Sequence, residues 1–120
     1  MAISGTLRAV AIFPNIKVEN LAAFQAIATE LLEEIKKQDS IIKYDMFFTS
    51  DNTQCVILEE YATAAGVIEH VKRNAHLLEK LTALGGKIEG SMFPTGESDS
   101  DLEEIKANWD SKMHSYFAGK

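Results

Sequence analysis

The sequence predicts an α+β domain in which two amphipathic helices pack against a four-stranded antiparallel sheet, with an extra helix at the C-terminus. Three observations predict this class. The 120 residues suffice for one compact domain. A composition of 46% hydrophobic and 25% charged residues is typical of a globular chain. Apolar residues also recur every three or four positions in two long segments, and short β-favouring segments flank them.

The first half of the chain predicts two strands and a helix. Residues 7–13 (LRAVAIF) are short, favour β-structure and are followed by proline, which predicts the first strand. An apolar stripe predicts a helix over residues 20–37. Residues 41–48 alternate in polarity, which predicts a strand with Ile42 and Tyr44 on the same side.

The second half predicts two further strands around a second long helix. The turn sequence at residues 50–53 (SDNT) indicates a hairpin that leads into a strand over residues 54–61. A second apolar stripe predicts a helix over residues 67–84, followed by two glycines and a strand over residues 87–93. The order is therefore βαββαβ, the split-βαβ arrangement of ferredoxin-like domains.

The C-terminal segment carries its own helical stripe. We divide the chain into a domain over residues 1–96 and an amphipathic helical extension over residues 97–120. One interpretation is that the extension packs on the domain or on a partner, and the other is that it forms a lid over a pocket. The stripe consists of Leu102, Ile105, Trp109, Met113 and Tyr116.

Charge and cysteine content exclude several classes of function. The net charge is -6, and only Arg8 and Arg73 are arginines, so we expect no nucleic-acid partner. The apolar runs are far shorter than the roughly twenty residues that cross a bilayer, so we expect no membrane partner. Cys55 has no second cysteine to pair with, and the first eight residues lack the features of a secretion signal. These features predict a cytoplasmic location.

The strands carry apolar residues on both faces, yet two helices can cover only one face of a four-stranded sheet. In the first strand, Ala9 and Ala11 lie on one side and Val10 and Ile12 on the other. An open apolar face is unusual in a soluble monomer. We therefore expect either a second copy of the chain on that face, which would make a homodimer, or the helix that contains Trp109.

Two titratable residues are candidates for chemistry. His70 shares an apolar helix stripe with Val67 and should face the sheet, where a core histidine satisfied by hydrogen bonds is one interpretation. Glu59 alternates with Tyr61 along a strand, so a buried Glu59 must be paired or protonated. Glu59 and His70 together would form either a general acid/base pair or a structural salt bridge. The sequence has no motif with metal-ligand spacing, and we predict no metal site.

Two short segments carry a resemblance to a known family. Residues 59–64 (EEYATA) and residues 69–76 (EHVKRNAH) resemble the antibiotic biosynthesis monooxygenase (ABM) family of the dimeric α+β barrel superfamily. That family ends its third strand in Glu-x-aromatic and carries His-x5-His in the next helix, and the resemblance spans about residues 5–95. Tyr61 replaces the usual tryptophan, and Ala75 replaces a common proline, so the helix should run unbroken.

The resemblance implies a subunit that dimerises through its sheet and oxidises a small phenol-, quinol- or anthrone-like aromatic molecule with no cofactor. It implies that His70 is the catalytic base or phenolate partner and that Glu59 orients it. Tyr44, Tyr61 and Asn74 would then bind the substrate. Two alternatives remain open: an isomerase or cyclase on the same barrel, and a non-catalytic dimer that binds a small ligand or a partner.

Overall fold

The computed structural model describes residues 6–120, which form an α+β fold. Residues 1–5 lie outside the described range. They belong to the N-terminal segment in which the sequence predicts no secretion signal. The described residues form five strands, four α-helices and a short 3-10 turn at Val18–Asn20. In chain order the elements are β1 (Leu7–Phe13), α1 (Leu21–Ile35), β2 (Ile41–Phe48), β3 (Cys55–Tyr61), α2 (Ala64–Arg73), α3 (Ala75–Gly85), β4 (Glu89–Pro94), α4 (Ser100–Asn108) and β5 (Ser111–Met113).

The sheet has five strands in the order β2-β3-β1-β4-β5. The first four pair antiparallel, as the βαββαβ order predicts. The prediction of a purely four-stranded antiparallel sheet is wrong, because β5 pairs with β4 in parallel. The extension leaves the helical conformation at Trp109, whose backbone is extended. The next residues then add to the edge of β4, which would otherwise present unpaired backbone groups.

A register shift in β2 changes which residue faces the helices. The pairing with β3 is irregular between Ile41 and Lys43, and Ile41 pairs opposite Tyr61. As a result Ile41 packs against the core, whereas Ile42 is 50% exposed. The prediction that Ile42 shares a side with Tyr44 is therefore wrong, because the irregularity interrupts the alternation of side chains.

The second predicted helix is two helices that meet at Asn74. The backbone of Asn74 has φ -111° and ψ 17°, and its carbonyl accepts hydrogen bonds from the backbone N–H groups of Leu77 and Leu78. Its side-chain amide donates to the backbone carbonyl of His70 at 3.0 Å. Asparagine competes in this way for backbone partners and favours helix ends. The expectation of an unbroken helix is therefore wrong.

The core lies between the sheet and helices α1, α2 and α3. Phe13 of β1 and Phe24 of α1 pack edge to face with ring centres 5.2 Å apart. Gly85 ends α3 directly against these rings, and a Cβ there would lie 2.7 Å from Cε2 of Phe24. A side chain at this position would overpack the core, so the glycine allows the helix to approach the sheet.

Helix α4 packs on the same side of the sheet as the other helices, whereas His114 further along stacks on Phe93 of β4 with ring centres 4.3 Å apart. Leu102 and Ile105 of α4 are buried with Tyr61 and Val67, and Trp109 packs against this cluster. The interpretation that the Trp109 helix covers the open sheet face is therefore wrong. None of the helices within residues 6–120 has the length and apolar character needed to cross a bilayer.

Candidate functional site

A cavity lies between the sheet and the helices because the middle of the sheet carries small residues. Ala11 of β1 pairs opposite Gly90 of β4, and Ala9 pairs opposite Glu59 of β3. These side chains leave unfilled a space of about 490 Å³. Ligand pockets have volumes of roughly 300–1,000 Å³, so the cavity suits a small molecule. Its walls are mostly apolar and include Phe13, Ile57, Val67, Val71, Leu78, Ile88 and Met92.

The C-terminal segment supplies one wall of this cavity. Asn108, Trp109, Asp110 and Ser111 line it at the junction between α4 and β5. The carboxylate of Asp110 forms an exposed ion pair with Lys87 at 2.9 Å. Since β5 is paired into the sheet, this wall is part of the folded domain.

Glu59 places a carboxyl group in the apolar cavity. It lies in β3 directly opposite Tyr44 of β2, and it accepts a hydrogen bond from the hydroxyl of Tyr61. Burial raises the pKa of Glu59 to about 7, although the hydrogen bond from Tyr61 acts in the opposite direction. Near neutral pH both the acid and the carboxylate are therefore populated, as a general acid or base requires. Burial and the nearby Glu59 raise the pKa of Tyr61, which keeps its hydroxyl protonated.

His70 is a buried neutral histidine with two side-chain neighbours. It is 3% exposed, and its Nε2 lies 3.4 Å from the hydroxyl oxygen of Tyr44. On the other side of the ring, Nδ1 lies 3.0 Å from the amide nitrogen of Asn74. Burial lowers the pKa of His70 to about 4, because the charged imidazolium is poorly solvated there. His70 is therefore uncharged at neutral pH.

Four of the five predicted site residues line the cavity, and the fifth does not. Tyr44, Glu59, Tyr61 and His70 all line the cavity, whereas Asn74 is 2% exposed and lies behind His70. Glu59 bonds to Tyr61, and His70 contacts Tyr44 and Asn74. Although both residues lie in the described part of the chain, no hydrogen bond or ion pair joins Glu59 to His70.

Sequence patterns do not predict the residues that create the cavity or the C-terminal residues that line it. The alanines of β1 and Gly90 were visible as small residues in strands, but their alignment depends on strand pairing. The helical stripe predicts Trp109 within a helix, whereas Trp109 ends α4 and lines the cavity. Only the pairing of β5 with β4 brings it there.

The fold and the site together define a ferredoxin-like α+β domain with a small-molecule cavity and one buried carboxyl group. Within residues 6–120, the acidic, histidine and cysteine side chains form no cluster of three or more that could hold a metal ion. No protein-family model matches the sequence. No curated protein matches it either.

Solved structures do match the fold. MupZ from Pseudomonas fluorescens is 19% identical, with a TM-score of 0.80 over 97% of this chain and 93% of that chain. An antibiotic biosynthesis monooxygenase is 20% identical, with a TM-score of 0.63 over 78% of this chain and 99% of that chain. Rv0793 from Mycobacterium tuberculosis is 15% identical, with a TM-score of 0.67 over 79% of this chain and 99% of that chain. The chain therefore shares the fold of antibiotic biosynthesis monooxygenase structures.

The extent of these matches differs at the C-terminus. A match over 97% of the chain includes most of residues 97–120, so MupZ shares this segment as well as the core. A match over 78% is too short to include both the whole βαββαβ core and the C-terminal segment. The fold of the C-terminal segment is thus a feature that this chain has in common with MupZ.

Proposed function

We propose that the cavity is the active site of an enzyme in which Glu59 moves a proton of a small, mainly apolar substrate. The reaction that we propose first is cofactor-independent monooxygenation of a phenol- or anthrone-like aromatic molecule. The observation that carries the proposal is the carboxyl group of Glu59, which faces an apolar cavity and has a pKa of about 7. Groups with strongly shifted pKa values in clefts are candidates for catalysis. The shared fold with an antibiotic biosynthesis monooxygenase supports the choice of oxygenation.

The chemistry needs a base, an electron-rich substrate and a site from which water is excluded. Removal of a proton from an anthrone gives an anion that can itself reduce dioxygen. The ring CH₂ group loses both hydrogens and gains one oxygen atom, and the second oxygen atom leaves as water. The substrate supplies all four electrons, so the overall reaction balances without another reductant. An apolar cavity strengthens the interactions that hold the anion.

Glu59 is the better base of the two residues that the sequence singled out. A base with a pKa of about 4, as in His70, binds a proton too weakly to remove one from a phenol efficiently at neutral pH. A carboxylate with a pKa of about 7 is a stronger base and is still substantially ionised at pH 7. We therefore assign proton transfer to Glu59, with Tyr61 as its hydrogen-bond partner.

A second candidate is an isomerase or cyclase that uses the same carboxyl group without oxygen. Below pH 7 the Glu59 carboxyl is mainly protonated, and the hydroxyl of Tyr44 also lines the cavity, whereas the hydroxyl of Tyr61 donates to Glu59. Such a set of donors can protonate a substrate oxygen and stabilise the charge that develops on it. This arrangement favours the second candidate over a purely passive binding role.

We expect Glu59→Gln to retain ligand binding and to lose turnover by about 10²–10⁴-fold, the usual contribution of general acid or base catalysis. The first step is a thermal-shift screen with anthrones, naphthols and quinones, followed by oxygen-uptake assays of every compound that binds. Because the carboxylate is the active form, kcat/KM should rise with pH up to about 7 and then level off.

The matched control is Glu60→Gln, the same exchange at the next residue on the opposite face of β3, where Glu60 pairs with Arg8. It should keep wild-type turnover. Oxygen uptake that Glu59→Gln leaves unchanged would refute the assignment of the base. Conversion of a bound compound without oxygen uptake would select the isomerase or cyclase. Binding without any conversion would favour a non-catalytic ligand-binding protein.

We also propose that a second copy of the chain covers the open face of the sheet. Phe47 and Leu58 are 52% and 45% exposed on this face, and Phe93 lies on the same side of β4. The half-buried Val10 and Ile12 lie between them on β1. A two-fold dimer would bury this contiguous apolar surface.

We expect the wild-type chain to sediment as a dimer at micromolar concentration and Leu58→Glu to sediment as a monomer. A charge at the centre of the apolar interface would be buried without a partner, which is strongly unfavourable. Val18→Glu is the matched control, since Val18 is also an exposed apolar residue but lies in the 3-10 turn outside the sheet. Sedimentation velocity measures both variants. A wild-type chain that stays monomeric would contradict this part of the proposal.

A further inference from the structure

The direction of the hydrogen bonds around His70 follows from the side chain of Asn74. The amide nitrogen of Asn74 lies 3.0 Å from the backbone carbonyl oxygen of His70. A carbonyl oxygen can only accept, so this contact identifies the amide end that carries hydrogens. The same nitrogen lies 3.0 Å from Nδ1 of His70. Nδ1 must therefore be the acceptor and carry no proton.

A neutral imidazole has a single N–H, which then belongs to Nε2. His70 is neutral at pH 7 because burial lowers its pKa to about 4. The Nε2 atom lies 3.4 Å from the hydroxyl oxygen of Tyr44, which is a long contact. With the proton on Nε2, His70 is the donor in this contact and Tyr44 is the acceptor. The hydroxyl hydrogen of Tyr44 is thereby left to point away from His70.

Tyr44 stands at the cavity wall directly across from Glu59. The two residues are cross-strand partners on β2 and β3, and both line the cavity. Side chains opposite each other in an antiparallel pair have Cβ atoms about 5 Å apart. A ligand oxygen near Glu59 is therefore within reach of the Tyr44 hydroxyl.

We propose that Tyr44 is the hydrogen-bond donor that holds an oxygen atom of the substrate, and that Asn74 and His70 are positioning residues that set the direction of its hydroxyl. This inference rests on the proposed function in using the same cavity and Glu59 as the base. It defines the ligand as a small apolar molecule with one hydroxyl or carbonyl oxygen next to the group that Glu59 deprotonates. The donor would stabilise negative charge on that oxygen once the proton has left.

The proton positions are measured by two-bond ¹H–¹⁵N correlation spectra of the labelled protein near pH 7. His70→Gln identifies the His70 signals by removing them. We expect His70 to be the Nε2–H tautomer. In Asn74→Asp a carboxylate replaces the amide, and we expect the proton to move to Nδ1. Asn20→Asp, the same exchange at the start of α1, should leave the tautomer unchanged. A wild-type His70 protonated at Nδ1, or an average of the two tautomers, would overturn the proposed direction.

Binding is measured with phenol and with toluene, which has nearly the same size but no oxygen. We expect the wild type to prefer phenol, and Tyr44→Phe to weaken phenol binding by about tenfold while toluene binding stays the same. Asn74→Asp should weaken phenol binding in the same way, since it reverses the hydrogen bonds that orient Tyr44. Phenol that leaves the His70 signals unchanged, or binds no better than toluene, would overturn the role of Tyr44.

Neither measurement uses oxygen or turnover. A failure of the proposed monooxygenation would therefore leave the tautomer and the phenol preference as expected. A His70 protonated at Nδ1 would in turn leave the expected loss of turnover in Glu59→Gln unaffected.

Discussion

Glu59→Gln should be more stable than the wild type at pH 8 by about 3 kcal/mol and equally stable near pH 4.5. The pKa of Glu59 is raised from 4.5 to about 7 in the folded protein. Because this pKa is raised, the contribution of Glu59 to the stability of the fold is fully present below pH 4.5. It is lost as the pH rises through about 7. The glutamine keeps the oxygen that accepts from Tyr61 but never ionises. The variant therefore does not lose stability by this route as the pH rises.

His70 has the opposite pH dependence. Its pKa is lowered from 6.5 to about 4, so its contribution is present above pH 6.5 and is lost as the pH falls through about 4. Between about pH 4.5 and 6.5 a rise in pH lowers the contribution of Glu59 and raises that of His70. The sum of the two contributions to the wild-type stability should therefore be nearly independent of pH in this range. Glu59→Gln should then become less stable as the pH falls in this window, whereas His70→Gln should become more stable.

Urea denaturation at pH 4.5, 6 and 8 measures these curves, and Glu60→Gln reports the effect of the same exchange outside the cavity. At pH 8 the melting temperature of Glu59→Gln should exceed that of the wild type by about 10 °C. A Glu59→Gln variant that is less stable than the wild type at pH 8 would show that the carboxylate is well solvated. A carboxyl group that destabilises the fold at neutral pH is typical of a functional site.

Ile105→Ala should destabilise the protein by about 2–5 kcal/mol, the range for removing a large buried aliphatic side chain. Ile105 is fully buried in α4 and packs in the same cluster as Tyr61 and Val67. The loss would show that the C-terminal segment belongs to the core and does not open as a lid. A mobile lid would instead lose ligand affinity with little change in stability.

The matched control for this prediction is Lys106→Ala, the next residue on α4. Lys106 is exposed, and its ion pair with Glu103 contributes little at the surface. This variant should change the free energy of unfolding by at most about 0.5 kcal/mol. An Ile105→Ala variant as stable as Lys106→Ala would argue that α4 separates from the domain.

Local patterns were sufficient to predict most of the elements. The stripe in α1, the alternation in β3 and the turn between β2 and β3 are signals within a few residues of each other. The alternation along β3 also placed Glu59 and Tyr61 on one face, where the structure joins them by a hydrogen bond. The candidate residues themselves were therefore identified from the sequence.

The partners of those residues could not be predicted from spacing. The sequence predicts that Glu59 and His70 pair, because each faces the space between the sheet and the helices. The structure instead joins His70 to Tyr44 and Asn74, because the break at Asn74 turns its amide back toward His70. That break depends on the Asn74 side chain, which competes for the backbone carbonyl of His70. The periodicity of apolar residues along a helix does not predict such a break.

The sequence by itself determined the βαββαβ order, the apolar character of both sheet faces and the polar residues of the candidate site. Each is encoded by the periodicity of neighbouring residues, because strands and helices repeat over two and 3.6 residues. Only the tertiary structure decided that β5 joins the sheet, that Ala11 and Gly90 meet to leave a cavity, and that Trp109 lines it. These features depend on contacts between residues far apart in the chain, where strand register sets which side chains meet.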